Sequence, residues 1–269
     1  MSTSVLRVRG VRKAFGGVAA LRDLSFGVDR GEVVALIGPN GAGKTTCFNL
    51  IDGQLAPDAG EVQFESRSIT GLAAHEIAHR GIGRTFQVAA TFASMTVRES
   101  VVLALAARDR RDARLRPGLL AAATPESDAL IARAEVFALA DSHCAALAYG
   151  DAKRVELALA LAGNPRLLLM DEPTAGMAPQ SRRELMQLAT SLVRRGEAAM
   201  LFTEHDMDIV FEFADRIIVL DRGATIAQGP PAAIRADPRV RAVYLGEDRP
   251  SSYARADAAA NPRFPRSFM

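Results

Sequence analysis

The stretch VVALIGPNGAGKTT, Val33 to Thr46, constrains the fold more than any other part of the chain. Val33–Ile37 is a run of five apolar residues and reads as a buried strand. Gly38, Pro39, Asn40, Gly41, Ala42, Gly43, Lys44, Thr45 and Thr46 follow, and a helical pattern covers Thr45–Asp52. This is G-x-x-x-x-G-K-[ST] between a strand and a helix, the context that the phosphate-binding motif needs. Its glycines let the backbone curl so that N–H groups converge on phosphate oxygens. The helix adds the positive end of its dipole. Lys44 can place a charge on the outer phosphates of a nucleotide, and Thr45 can offer a hydroxyl to Mg²⁺.

Similar apolar runs recur at Leu167–Met170, Ala199–Thr203 and Ile217–Leu220. Continuous apolar strands belong to a sheet covered on both faces, so a parallel α/β sheet is expected. Helical stretches such as Gln180–Arg194 lie between them. Segments near 5–10, 24–28 and 62–64 alternate polar and apolar residues and predict a smaller antiparallel sheet. Residues 88–162 are rich in Ala and Leu, with helices expected near 96–107, 126–140 and 152–162. This part reads as an inserted helical subdomain. The charged run Arg108–Arg116 reads as a solvated loop or helix end. The last residues, 248–269, lack periodicity and are expected to be disordered.

A second element supports the phosphate site. The apolar run 167–170 ends in Asp171 and Glu172. Asp171 is suited to hold Mg²⁺, and Glu172 to polarise an attacking water as a general base.

Together these motifs resemble the ATP-binding cassette ATPases, the motor subunits of ABC transporters, from about Leu6 to Glu247. The resemblance implies a P-loop fold with a RecA-like parallel-sheet core, a small antiparallel β subdomain and an inserted α-helical subdomain. It implies one ATPase domain over 1–247, with ATP and Mg²⁺ as cofactors. Gln87, in Arg84-Thr85-Phe86-Gln87, matches the glutamine that contacts Mg²⁺ and the attacking water, and that begins the segment touching the membrane subunit. His205 matches the switch histidine near the γ-phosphate, and Phe15 the aromatic that stacks on adenine. Thr174–Pro179 occupies the loop that crosses the dimer interface. The family signature, usually LSGGQ, reads Leu147-Ala148-Tyr149-Gly150-Asp151. It would bind the γ-phosphate held by a partner ATPase. Ala148 removes one hydroxyl donor to that phosphate, a loss of about 1.5–3 kcal/mol against a charged acceptor.

Leu-x-Tyr-Gly, GIGRTFQ (81–87), SMTVRES (94–100), EHDMDIV (204–210) and DPRVRAVYLGE (237–247) are similar to the ATPases of branched-chain amino acid importers, the longer G-type one in particular. The implied partners are two multi-spanning membrane subunits, a second ABC ATPase, identical or a paralogue, and a periplasmic or extracellular substrate-binding protein. The implied place is the cytoplasmic face of the membrane. Importers of urea or short amides, and the ATPase of lipopolysaccharide export, share these motifs. Asp151 and Leu159 depart from the usual pattern and keep open a cassette that hydrolyses poorly within an asymmetric heterodimer.

Rivals from other classes are a soluble P-loop kinase and a cassette acting on DNA or ribosomes. The kinase has no use for the signature, the Asp-Glu pair and the switch histidine together. The second often carries two cassettes or long coiled-coil insertions, and the sequence shows neither. With 33 basic and 31 acidic residues the net charge is +2, which does not argue for a nucleic-acid partner. Cys47 and Cys144 form no paired framework and fit a reducing compartment. The N-terminus has no apolar core of a secretory signal, and no run approaches the ~18 apolar residues of a membrane helix.

One motif competes. His75-Glu76-Ile77-Ala78-His79 fits the helical zinc pattern H-E-x-x-H, and Glu99 stands where some metalloproteases keep a third ligand. The ATPase reading uses this whole region, whereas the protease reading uses a few residues. The stretch is therefore expected to be a short amphipathic helix that leads through Gly81 into GIGRTFQ.

Overall fold

The computed structural model describes residues 4–85, 93–109, 123–195 and 198–245. Gln87 and the 248–269 tail lie outside the described residues, as does most of the 108–116 run.

The chain opens with a long hairpin, β1 (Ser4–Phe15) and β2 (Val18–Asp29). β3 (Val33–Ile37) leads into α1 (Lys44–Ile51), and β4 (Ala59–Phe64) and β5 (Arg67–Ser68) follow. β1, β2, β4 and β5 form an antiparallel sheet in the order β2-β1-β4-β5. Next come α2 (Ala74–His79), β6 (Ile82–Thr85), α3 (Val97–Arg108), α4 (Pro125–Arg133) and α5 (Tyr149–Ala162). β7 (Leu167–Asp171), α6 (Pro179–Arg195), β8 (Ala199–Thr203), α7 (Met207–Phe213), β9 (Arg216–Asp221) and β10 (Ala224–Gly229) complete the core, with α8 (Pro231–Ala236) and α9 (Pro238–Leu245) beyond it. The second sheet runs β10-β9-β3-β8-β7-β6. It is parallel except for β10, which pairs antiparallel with β9 at one edge.

The apolar strands are buried on both sides because alternate residues serve two cores. Val34, Leu36, Leu167, Leu169, Leu201 and Ile218 pack toward α1 and the antiparallel sheet. Val33, Ala35, Ile37, Leu168, Met200 and Phe202 pack toward α6 and α7. On α6 the buried face is Leu185, Met186, Ala189, Leu192 and Val193, the spacing of an amphipathic helix.

A third cluster joins Val97, Val101 and Leu105 of α3, Leu130 and Ile131 of α4, and Val155, Ala158 and Ala162 of α5. Thr96 caps α3, accepting from the Glu99 N–H at 3.2 Å while Glu99 accepts from the Thr96 N–H at 2.8 Å. The helix expected over 126–140 stops at Arg133. Glu135 turns left-handed with φ +60°, and a short 3₁₀ turn follows at Phe137–Leu139. The break returns Val136, Ala140 and Cys144 to the cluster. The helix expected over 152–162 begins earlier, at Tyr149, so the 147–151 segment stands at its N-terminus.

α2 is the short helix expected through the H-E-x-x-H stretch. His75 and His79 are exposed, and His79 Nδ1 lies 2.6 Å from the His75 carbonyl. Glu76 accepts the Ala73 N–H at 3.0 Å, so it and Glu99 are both engaged at helix starts. Gly81, at φ +98°, ends the segment and opens β6. Both cysteines are free and buried, and burial pushes the Cys47 thiol far above its usual range.

Candidate nucleotide site

The loop between β3 and α1 is pinned from below. Gly38 is buried under β9, and a Cβ there would lie 2.3 Å from the Leu220 carbonyl oxygen. Gly43 holds φ +105°, and a Cβ there would lie 2.6 Å from the Ala20 carbonyl oxygen. No side chain fits either place, so glycine sets how close the loop sits to β2 and β9. The Ala42 N–H bonds to the Pro39 carbonyl at 3.1 Å, and the Ala42 carbonyl accepts the Gly223 N–H at 3.0 Å. Asn40 and Gly41 form the exposed crest; Thr45 is exposed and Thr46 half-buried on the first turn of α1.

Lys44 opens α1. Its ammonium donates to the Gly38 carbonyl at 2.7 Å and the Pro39 carbonyl at 3.2 Å. Burial lowers its pKa, while the nearby negative charges of Glu172 and Asp171 act the other way. The cation is thus held inside its own loop, facing two carboxylates.

Asp171 ends β7, and both its oxygens are held. Thr203 Oγ1 donates to Oδ1 at 2.7 Å, and Arg84 Nη2 to Oδ2 at 3.1 Å. The largely buried Arg84 guanidinium also reaches Asn49 at 2.8 Å and Asp52 at 2.5 Å. Arg84 therefore ties β6, which runs toward Gln87, to the end of α1 and to Asp171.

Glu172 follows with φ +48°. Its N–H is bonded to the Thr203 carbonyl at 3.2 Å and to Thr203 Oγ1 at 3.0 Å. Its Oε1 lies 2.8 Å from His205 Nε2, so the structure brings together these two residues from the ends of β7 and β8. The His205 side chain is half exposed and the Glu172 side chain one-fifth exposed, which leaves the pair open to solvent.

Phe15 is exposed at the tip of the β1–β2 hairpin, with Lys13 Nζ 5.6 Å from its ring centroid. Leu147 packs against the helical cluster. Ala148 is the N-cap of α5 without a side-chain bond, and Asp151 stands in the first turn. The Tyr149 hydroxyl donates to the Ala175 carbonyl at 3.0 Å, which joins 147–151 to the 174–179 loop.

A glycine-rich loop, a lysine, a paired Asp-Glu and a histidine are a set of groups that can bind a nucleotide triphosphate and activate a hydrolytic water. Residues 21–175 match the ABC transporter family. The chain belongs to that family. It is an ATP-binding cassette that hydrolyses ATP as the motor subunit of a transporter. Residues 224–250 also match the branched-chain amino acid ATP-binding cassette transporter family. The high-affinity branched-chain amino acid transport ATP-binding protein LivG of Salmonella typhimurium is 38% identical over 92% of this chain and 100% of its own length. The lipopolysaccharide export system ATP-binding protein LptB of Haemophilus influenzae is 34% identical over 91% of this chain and 98% of its own. A crystal structure of a nucleotide-free ATP-binding cassette from an ABC transporter superposes with a TM-score of 0.79 at 32% identity, over 91% of this chain and 100% of that one.

Three residues beside these groups belong to no motif of their own: Arg84, Thr203 and Glu204. Arg84 lies inside GIGRTFQ, and Thr203 and Glu204 immediately precede His205. A charged residue at the end of an apolar strand was the available signal, and it points to a carboxylate or cation that must find a buried partner.

Proposed function

We propose that this cassette drives an importer of branched-chain or related amino acids. The observation that carries the reading is the 224–250 match, because the matched family is described as a branched-chain amino acid transporter. It favours amino acids over the urea, amide and lipopolysaccharide alternatives. Phe15 stacks on adenine, and the 38–46 loop with Lys44 binds the phosphates. Thr45, Gln87 and Asp171 would hold Mg²⁺. The donors fit that ion: an exposed hydroxyl and a carboxylate kept in place by Thr203 and Arg84 are hard oxygen ligands. When bound, Mg²⁺ would supply positive charge at the transferring phosphate. Glu172, oriented by His205 at 2.8 Å, takes the proton of the attacking water. Lys44 stabilises charge on the departing oxygens.

The ATPase unit spans 1–247, with 88–162 as its inserted helical part. Two such units, this chain with a paralogue or with itself, enclose ATP between the loop of one and the 147–151 segment of the other. Two membrane subunits and an external substrate-binding protein complete the transporter, with no nucleic acid involved. Among the described residues, no helix is long and apolar enough to cross a membrane. The cassette sits peripherally on the cytoplasmic side of those subunits. A cleft of about 480 Å³ lies beside β6, lined by Ile77, Gly83, Arg84, Ala104, Ala107 and Leu159, and supports that contact.

The test is reconstitution in proteoliposomes with the membrane subunits and binding protein of its transporter. ATP-dependent uptake of labelled leucine, isoleucine or valine is expected. Uptake of urea or short amides alone would overturn the substrate assignment.

The 147–151 segment gives a second prediction. Asp151 places a carboxylate on the first turn of α5, where the partner's γ-phosphate would sit against the positive end of the helix. Asp151→Gln is expected to raise the ATPase rate of the assembled dimer roughly fivefold by removing a like charge at the phosphate, with a smaller gain at high salt. An unchanged or lower rate would show that the substitution does not restrain the cassette.

A further inference from the structure

We propose that Glu204 is the positioning residue that sets Glu172 against His205. The inference rests on reading that pair as the water-activating group. Glu204 is 4% exposed. Among the described residues no cation pairs with it, so hydrogen bonds alone meet its charge. Its Oε1 accepts two bonds from Thr174, one from the N–H at 2.9 Å and one from Oγ1–H at 2.6 Å. Its Oε2 accepts the N–H of His205 at 3.2 Å. Thr174 is itself 1% exposed and belongs to the tight turn that begins at Glu172. In that turn the Ala175 N–H donates to the Glu172 carbonyl at 3.2 Å, and the Met177 N–H to the Thr174 carbonyl at 3.1 Å.

The backbone at Glu172 needs such support. A φ of +48° is uncommon for a residue with a long side chain and persists only where its surroundings impose it. Thr203 holds the N–H side of Glu172. Glu204 holds the other side through Thr174, and it holds the backbone of His205 with its second oxygen. One buried carboxylate therefore joins the two segments whose side chains meet at 2.8 Å. The chemistry asks for a carboxylate, because both ends of the group must accept. An amide would offer one acceptor and one donor, so at one end a donor would face a donor. The wider chain of bonds reaches further still: Ala175, next to Thr174, accepts from the Tyr149 hydroxyl of the 147–151 segment.

The experiment compares Glu204→Gln, Thr174→Val and Thr174→Ser in the full chain assembled in its transporter, with Glu172→Gln in the same assay. ATP affinity is read with a fluorescent analogue, and kcat at saturating ATP by phosphate release. Glu204→Gln is expected to lower kcat about tenfold and Thr174→Val about threefold, with ATP affinity within about twofold of wild type. Thr174→Ser should restore wild-type kcat, and the double variant Thr174→Val/Glu204→Gln should be no slower than Glu204→Gln alone, because both changes break one clamp. Wild-type kcat in both Glu204→Gln and Thr174→Val, strictly additive losses, or no rescue by serine would each overturn the proposal. Should Glu204→Gln fail to fold, the valine and serine variants at Thr174 decide it. Normal turnover in Glu172→Gln would instead remove the reading of the pair itself; an inactive Glu172→Gln beside a wild-type Glu204→Gln removes the role of Glu204 alone.

Discussion

Glu172→Gln is expected to bind ATP as tightly as wild type and to hydrolyse it about 100- to 10,000-fold more slowly, the usual contribution of a general base. The substitution changes little except basicity. The amide has the same shape, so the unusual backbone at Glu172 and its bonds to Thr203 are kept. An amide oxygen or nitrogen can still meet His205 Nε2, so the 2.8 Å contact survives. What is lost is the ability to accept a proton from water. The phosphate loop lies between β3 and α1, and Lys44 keeps its bonds to that loop and the charge of Asp171, so ATP affinity should stay within about twofold. Release of labelled phosphate at saturating ATP, beside equilibrium binding of a fluorescent analogue, measures both. Unchanged turnover would show that Glu172 is not the base.

The separation of binding from chemistry follows from where the strands end. β3, β7 and β8 are neighbours in one parallel sheet, and their C-terminal ends carry the phosphate loop, Asp171–Glu172 and Thr203–His205. Ligand sites of open parallel sheets gather at that end. The continuous apolar runs made these strands legible in the sequence, since each residue is buried by one of two cores. The edges were not legible. β6 reads Ile82-Gly83-Arg84-Thr85 and β10 reads Ala224 to Gly229, with polar or small residues that carry no clear period. The end of α4 was not legible for a similar reason. Ala, Leu and Phe continue the helical composition past Arg133, but packing Val136 and Ala140 into the helical cluster requires the chain to turn.

Within the site, sequence motifs named the groups that would touch nucleotide: Lys44, Thr45, Asp171, Glu172 and His205. They did not name the groups that hold these in place. Arg84 meets Asp171, and Glu204 meets Thr174, only because the sheet brings distant stretches of chain together. Spacing along the chain has no way to record such pairings. The structure supplies the reason that Asp171 is fixed: each of its two oxygens has a donor.

Lys44→Met should be the second large effect, weakening ATP binding about 10- to 100-fold. A hydrogen bond from a cation to a charged acceptor contributes about 1.5–3 kcal/mol, which converts to that range in Kd. Methionine is suitable because the stem of Lys44 is buried, with the residue 7% exposed, so an apolar chain of similar length keeps the packing of α1 on the loop. The lysine ammonium is bonded to the Gly38 and Pro39 carbonyls. Its loss removes the donor from both, and a modest fall in the thermal midpoint of the nucleotide-free protein is expected. The rise in that midpoint on adding ATP should be largely lost. Binding of adenosine, which has no phosphate, provides the control. It should be unchanged, because Phe15 rather than Lys44 would meet the base. Isothermal calorimetry with ATP and adenosine distinguishes the outcomes: equal weakening of both ligands would mean that the substitution disturbs the loop as a whole, and unchanged ATP affinity would mean that Lys44 does not bind phosphate.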